Sequence, residues 1–190
     1  VMGLSVGDAY GRLISSATTV KGFSYVVVYS IPYIVVGLSV AFSFKTGVFN
    51  IGAEGQFVVG SMSAAVVGIL LGHLPKPILI PLCFIVAMAV GALWGIVVGL
   101  LKTKRGINEV LSMIMFNWIA FYLSNFIAGI PAIHSDGSAE ATKNISENAS
   151  TLLSKEVIKE WGLCPTANWG ILVAIAATIL IWFIIEKTTL

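Results

Sequence analysis

The stretch Gly47–Gln56, which reads GVFNIGAEGQ, separates two long apolar runs of the chain. It carries three glycines, which weaken a continuous helix, together with an asparagine, a glutamate and a glutamine. Asn50 can cap a new helix, and Glu54 then lies in its first turn, where the helix dipole favours an anion. The stretch therefore predicts a broken helix or a re-entrant segment near residues 47–56.

The composition of the chain indicates that this break lies in a membrane protein. Of the 190 residues, 57% are hydrophobic and 11% are charged, and the mean hydropathy is +0.96. Soluble domains carry about a quarter of charged residues. We therefore expect most of the surface to face lipid. The net charge of +2 is too small to indicate a nucleic-acid partner.

Five apolar runs are candidates for crossing a bilayer, whose hydrocarbon core requires about 20 helical residues. They are residues 23–44, 57–72, 78–101, 107–130 and 169–185. The second run is short, so we expect it to gain length from the stretch that precedes it. The predicted fold class is all-α, a polytopic integral membrane protein with about five transmembrane helices.

The runs predict one transmembrane domain over residues 1–190. Its parts are an external segment (1–22), four membrane helices (23–128), an external loop (129–168) and a fifth helix (169–185). The orientation follows from the short loop Lys102–Gly106, because short basic loops mark the cytoplasm. Since the first residue is Val and the last apolar run ends close to Leu190, we expect the chain to be truncated at both ends.

The predicted external loop is acidic and contains the amphipathic stretch Thr151–Trp161, which predicts a short surface helix. Two interpretations of the loop stay open. It can form a docking surface for an extracytoplasmic partner, or it can be a solvated segment at the membrane interface.

Small residues recur at four-residue spacing on one face of the second run and one face of the third. Lipid gives helices no hydrophobic reason to pair, and small residues instead let two backbones approach closely. We therefore expect tight helix packing at the glycines of these faces, which include Gly60, Gly68, Gly91, Gly95 and Gly99.

Polar side chains in the break and in the fourth run require either a hydrogen-bond partner or a wet cavity. Asn117 lies near the middle of its run and either bonds to another helix or lines a polar route. Transporters present polar groups to a substrate at helix breaks. Asn50, Glu54 and Gln56 therefore either line a hydrophilic route with Asn117 or clamp helix ends at the inner interface.

Glu109 follows the basic loop between the third and fourth runs. Two roles are open for this end of the fourth run. Glu109 can pair with Lys104 or Arg105, and the helix can be capped through Asn108.

The stretch Gly47–Gln56 resembles the signature of permease subunits of bacterial ABC importers, in the branched-chain amino acid, ribose and nucleoside group. With Glu54 and Gln56 present, it is most similar to the nucleoside and simple-sugar branch. Gly106–Val110, followed by Met115–Asn117, is similar to a second stretch of that branch. The resemblance implies a multi-pass permease subunit of the bacterial plasma (inner) membrane that forms the translocation route for a nucleoside or a simple sugar.

The resemblance also implies several partners: a second permease subunit, cytoplasmic ATPase subunits and an extracytoplasmic substrate-binding lipoprotein. ATP and Mg would be bound by the ATPase, so no cofactor is expected on this chain. The sequence accordingly lacks a Gly-x-x-x-x-Gly-Lys-Ser/Thr phosphate loop. In the family, the main ATPase-contacting loop follows a helix like the fifth run, so we expect that loop to begin at Glu186–Leu190.

Three other functions compete with this one. An ion-coupled secondary transporter would use Glu54 or Glu109 as a proton site. An intramembrane enzyme is disfavoured because the sequence has no His-Glu-x-x-His or Gly-x-Ser-x-Gly motif, and neither catalytic residues nor a metal site are expected. A scaffold of the same fold that does not transport stays open.

Overall fold

The computed structural model describes residues 6–137 and 141–187, and every α-helix or 3-10 helix below lies in these ranges. The α-helices are α1 (Val6–Thr18), α2 (Val20–Lys45), α3 (Ala53–Leu70), α4 (Lys76–Arg105), α5 (Glu109–Ala128), α6 (Lys155–Glu160) and α7 (Gly170–Lys187). A single 3-10 turn covers Glu147–Ala149. The predicted all-α fold class is confirmed.

Five of these helices, namely α2, α3, α4, α5 and α7, are long and apolar enough to cross a membrane. Each of them begins and ends within about one helical turn of the apolar run that predicted it. The chain is therefore a multi-pass membrane protein. Helix α7 ends at Lys187, and the last three residues of the stretch 186–190, where an ATPase-contacting loop was expected to begin, lie outside the described residues.

The second spanning helix gains its length from the break, as expected. Helix α3 begins inside the motif at Ala53 and places Glu54 in its first turn. The prediction that Asn50 caps this helix is wrong. Gly52 holds the cap position without a side-chain hydrogen bond, and Asn50 lies two residues too early to reach the free N–H groups of the first turn.

Two short helices lie in the segments that were predicted to be external. Helix α1 occupies most of residues 1–22, where no helix was predicted. Helix α6 forms inside the amphipathic stretch Thr151–Trp161, and the Ser154 hydroxyl caps it by accepting the N–H of Val157. The external location of both segments, the single domain and the two truncated ends stay predictions.

The described residues form two compact units. The first comprises the residues up to Gly37 and those from Thr151 onward, and the second comprises Leu38–Ser150. In the first unit, the buried Ser24 hydroxyl of α2 accepts the N–H of Cys164 at 2.7 Å and donates to the carbonyl of Lys21 at 2.7 Å. This pair of bonds fastens the loop around Cys164 to the start of α2.

In the second unit, α3 packs against α4 and α5. A loop beyond α5 caps the carboxyl end of α3. Ser146 Oγ and Asn148 Nδ2 both donate to the carbonyl of Gly72, at 3.0 and 3.1 Å. A Cβ atom on Gly68 would overlap the side chain of Ile145, so this glycine makes room for the loop and not for a neighbouring helix.

Removing both donors should destabilise the second unit, because it leaves the Gly72 carbonyl without its two side-chain partners. We expect Ser146→Ala combined with Asn148→Ala to lower the free energy of unfolding by about 1–3 kcal/mol. Thermal unfolding of the full-length protein in detergent measures the effect. The control is Asn144→Ala, since Asn144 is exposed on the same loop. Equal melting temperatures for the double variant and the control would contradict the cap.

Candidate functional site

The break between α2 and α3 begins with a tight helix ending. Gly47 adopts a φ of +78°, the left-handed region that favours glycine. The N–H of Val48 donates to the carbonyl of Ser43 at 2.9 Å, and the N–H of Gly47 donates to that of Phe44 at 3.1 Å. This is the Schellman pattern, which satisfies carbonyls that a helix end leaves free. The chain then runs through residues 48–52 without helix until α3 begins.

A single amide side chain on α5 holds the other end of the break. Asn117 Oδ1 accepts the N–H of Gly55 at 2.9 Å, and Asn117 Nδ2 donates to the carbonyl of Ile51 at 3.1 Å. An N–H in the first turn of a helix has no partner within that helix. Asn117 therefore supplies from another helix the bonds that the start of α3 lacks.

Gly55 makes this contact possible because it has no side chain. A Cβ atom at this position would lie 2.7 Å from Asn117 Oδ1 and 3.2 Å from Asn117 Cα. Since Asn117 Cα is backbone, it cannot move away as a flexible side chain would. Any larger residue would therefore force α3 and α5 apart.

Helix α4 approaches α3 closely at three of the predicted packing glycines. A Cβ atom on Gly60 would meet the carbonyl oxygen of Ala87 at 3.2 Å, and one on Gly91 would meet that of Gln56 at 3.4 Å. One on Gly95 would overlap Gln56 Nε2. At the fifth predicted position, Gly99, no atom of the described structure lies within 4 Å of an added Cβ.

A cavity of about 340 Å³ lies beside the break. Its polar wall includes Asn50 and Gln56, and Asn50 Nδ2 donates to Gln56 Oε1 at 3.4 Å. Its aromatic wall includes Trp94 and Phe116, whose ring centroids lie 5.4 Å apart in an edge-to-face arrangement. The buried Trp94 Nε1 has no hydrogen-bond partner in the described part of the chain. The amides of Asn50 and Gln56 can therefore meet water or a neutral polar molecule in the cavity, whereas the Trp94 N–H is buried.

The structure brings together some of the predicted route residues and separates others. Asn50 and Gln56 line the same cavity, whereas Asn117 does not line it and instead bonds Gly55 and Ile51 of the break. The Glu54 side chain is exposed and does not line the cavity. Trp94 was not singled out from the sequence. The sequence did contain a signal for Trp94. An indole N–H inside an apolar run usually finds a hydrogen-bond partner when it is buried, so the residue could have been grouped with the polar side chains that need one.

The start of α5 shows one confirmed prediction and one correction. Asn108 caps the helix by accepting the N–H groups of Val110 and Leu111, at 2.9 and 3.3 Å. Glu109 forms an ion pair with Lys102, not with the residues predicted for it, Lys104 or Arg105. The reason is the left-handed turn at Gly106, with a φ of +63°, which directs α5 back towards the last turn of α4.

Gly55→Ala should destabilise the protein by about 1–3 kcal/mol, the range for an added methylene that a packed site cannot accommodate. The matched control is Gly99→Ala, which places the same methyl group in open space on α4. Thermal unfolding of the full-length protein in detergent compares the two variants. If Gly55→Ala is as stable as Gly99→Ala, the close approach to Asn117 does not constrain α3.

A double-mutant cycle separates the Asn117 contact from other effects of the added methyl group. We expect Gly55→Ala to be less harmful in an Asn117→Ala background, because the overlapping amide is then absent. The coupling should be about 0.5–3 kcal/mol, the range for residues in contact. Additive changes in unfolding free energy would show that the two residues do not act together.

The sequence of this chain matches a known protein family. Residues 22–190 match the family described as the permease component of branched-chain amino acid transport systems. No solved structure gives a significant match.

Three curated relatives have transport functions in their names. The guanosine ABC transporter permease protein of Bacillus subtilis is 39% identical over 194 residues, which cover 100% of this chain and 53% of the relative. The nucleoside ABC transporter permease protein of Lactococcus lactis is 34% identical over 84% of this chain and 44% of the relative. The glucose ABC transporter permease protein of Haloferax volcanii is 31% identical over 96% and 49%. The chain spans about half the length of these relatives.

Proposed function

Since the chain belongs to the family of permease components of branched-chain amino acid transport systems, we propose that it is a membrane-spanning subunit of an ATP-driven importer. Its role is to form part of the translocation route. The cargo proposed first is a nucleoside, because the two relatives named for nucleosides or guanosine are 39% and 34% identical to this chain. A simple sugar comes second, on the 31% identity to the glucose permease.

The helix break carries this proposal on the structural side. Irregular backbone at membrane depth persists only where protein or water satisfies its polar groups. Asn117 satisfies two of those groups, and the cavity lined by Asn50 and Gln56 adjoins the break at Gly52. A break that is both fastened and bordered by a cavity with two amide groups in its wall fits a route for a hydrophilic cargo.

The four predicted route residues take different roles in this proposal. Asn50 and Gln56 line the route with their amide groups. Asn117 is a positioning residue that holds the break in place through Gly55 and Ile51. Glu54 is exposed in the single chain, so its carboxylate is available to a second permease subunit or to water in the route.

The rest of the importer follows from the same family membership and belongs to the proposal. A second permease subunit completes the channel, cytoplasmic ATPase subunits bind ATP and Mg, and an extracytoplasmic lipoprotein delivers the cargo. The bacterial plasma membrane is the proposed location. The family favours this machine over an ion-coupled transporter. That alternative would use Glu54 or Glu109 as a proton site, and Glu109 already forms an ion pair with Lys102.

Uptake of radiolabelled guanosine and ribose tests the machine and the cargo together. Cells with and without the full-length gene are compared, with ATP depletion and a protonophore in parallel samples. We expect deletion of the gene to abolish guanosine uptake. In cells that keep the gene, we expect guanosine uptake to require ATP. Loss of ribose uptake alone would overturn the nucleoside assignment. Uptake that survives ATP depletion and stops with the protonophore would overturn the ATP-driven mechanism.

Substitution of Glu54 tests its place in the route. We expect Glu54→Gln and Glu54→Ala to lower uptake about tenfold, the change produced by about 1.4 kcal/mol in an activation barrier. The complex should still assemble, as judged by copurification of the ATPase. Glu156→Gln is the control, because Glu156 is an exposed carboxylate on α6. Normal uptake in both variants would remove Glu54 from the route, and failed assembly would favour a clamp at the helix ends.

A further inference from the structure

Helix α1 has an apolar side that stays open in the described chain. Val6, Tyr10, Leu13 and Ile14 are each 63–73% exposed. At about 100° per residue they fall on one side of the helix. The opposite side carries the polar positions Asp8, Arg12 and Ser15. A contiguous exposed apolar surface rimmed by polar residues marks an interaction surface.

A sharp elbow joins α1 to α2 through Thr19. The N–H of Gly22 donates to Thr19 Oγ1 at 3.1 Å, and the N–H of Phe23 donates to the Thr19 carbonyl at 2.8 Å, so Thr19 caps α2. A Cβ atom on Gly22 would overlap the carbonyl oxygen of Ser16. Residues six apart along one continuous helix do not come this close, so α1 leaves the axis of α2 at this point.

Side-chain hydroxyls satisfy the backbone at the end of α1. Ser16 Oγ donates to the carbonyl of Leu13 at 2.9 Å, and Thr18 Oγ1 reaches the carbonyls of Ile14 and Ser15 at 3.2 and 3.1 Å. Thr19 Oγ1 donates to the carbonyl of Ser16 at 2.9 Å. The last carbonyls of a helix otherwise require water or another partner. Hydroxyls thus bond two of the four carbonyls that the end of α1 leaves free, those of Ser15 and Ser16.

The spanning helix α2 fixes the depth of this elbow. The first turn of α2 exposes apolar side chains, with Val20 63% and Phe23 64% exposed, and Lys21 lies beside them at the elbow. The start of a membrane-spanning helix lies at the boundary between the acyl chains and the headgroups, where Lys and aromatic residues anchor it. Helix α1 has 13 residues, about 20 Å of helix, which is too short to cross a hydrocarbon core of about 30 Å.

We propose that α1 is an interfacial helix that lies on the membrane surface, and that lipid covers its apolar side. Tyr10, Leu13 and Ile14 enter the boundary of the acyl chains, and the side with Asp8 and Arg12 faces water. The helix carries one acidic and one basic residue, so apolar burial and not attraction to anionic lipid holds it in place. Because the elbow joins α1 directly to the first turn of a membrane-spanning helix, where Val20 and Phe23 are themselves exposed, lipid is favoured over a protein partner as the occupant.

Spin-label accessibility in the full-length protein tests this placement. The native cysteines are replaced by alanine, and a nitroxide is attached either at Leu13→Cys on the apolar side or at Ser15→Cys on the polar side. The protein is reconstituted in phosphatidylcholine nanodiscs, and collisions with oxygen and with a water-soluble nickel chelate are measured by electron paramagnetic resonance. We expect the label at position 13 to favour oxygen, which concentrates in the acyl region, and the label at position 15 to favour the chelate.

Each other outcome would overturn the proposal. Equal accessibility of both labels to the chelate would place α1 in water. Protection of the label at position 13 from both oxygen and the chelate would mean that a protein surface covers the apolar side. Because both positions are exposed, the labels should leave folding intact, and intrinsic fluorescence confirms this for each variant. A depth that changes with anionic lipid or with salt would contradict binding by apolar burial.

Discussion

The second unit depends on one amide group that satisfies the backbone on both sides of a helix start. Asn117 bonds an N–H on one side of the start of α3 and a carbonyl on the other, at 2.9 and 3.1 Å. A polar backbone group left unpaired in hydrocarbon costs several kcal/mol, roughly 2–7 on transfer scales. The helix can therefore be interrupted between α2 and α3 only because α5 carries this side chain at this height. Gly55 is the complementary requirement, since it lets the two backbones come close enough for the bond to form.

The cavity follows from the same arrangement. Once the chain leaves α2 at Gly47 and re-enters helix at Ala53, the amides of Asn50 and Gln56 face a common space that an unbroken helix would not leave. Helix α4 completes the wall with Trp94 and approaches closely where Gly91 and Gly95 make room for Gln56. A mainly apolar cavity thus carries two amide groups in its wall. This combination suits a subunit that admits a hydrophilic cargo while it remains in lipid.

How much could be predicted from the sequence depended on whether a feature was set by lipid or by a specific partner. The thickness of the bilayer fixes the length of a span, so the five apolar runs located α2, α3, α4, α5 and α7 to within about one turn. The glycines of the motif located the break. The hydrogen-bond partners of the polar side chains were harder to predict, because an amide in the middle of an apolar run can bond to any neighbouring helix. Glu109 was assigned to the wrong lysine or arginine because the turn at Gly106 decides which basic residue it meets. Helix α1 escaped prediction because it is short and half polar.

Helix α3 is held at both of its ends by groups that come from elsewhere in the chain. Asn117 bonds its amino end, and Ser146 and Asn148 bond the carbonyl that follows its carboxyl end. An α-helix of 18 residues is about 27 Å long and stiff along its axis. Helix α3 is therefore fixed at both ends by hydrogen bonds to other parts of the chain. Because a helix does not stretch, a movement of the loop along this axis would shift the amino end of α3 with it, unless the hydrogen bonds at one end break first.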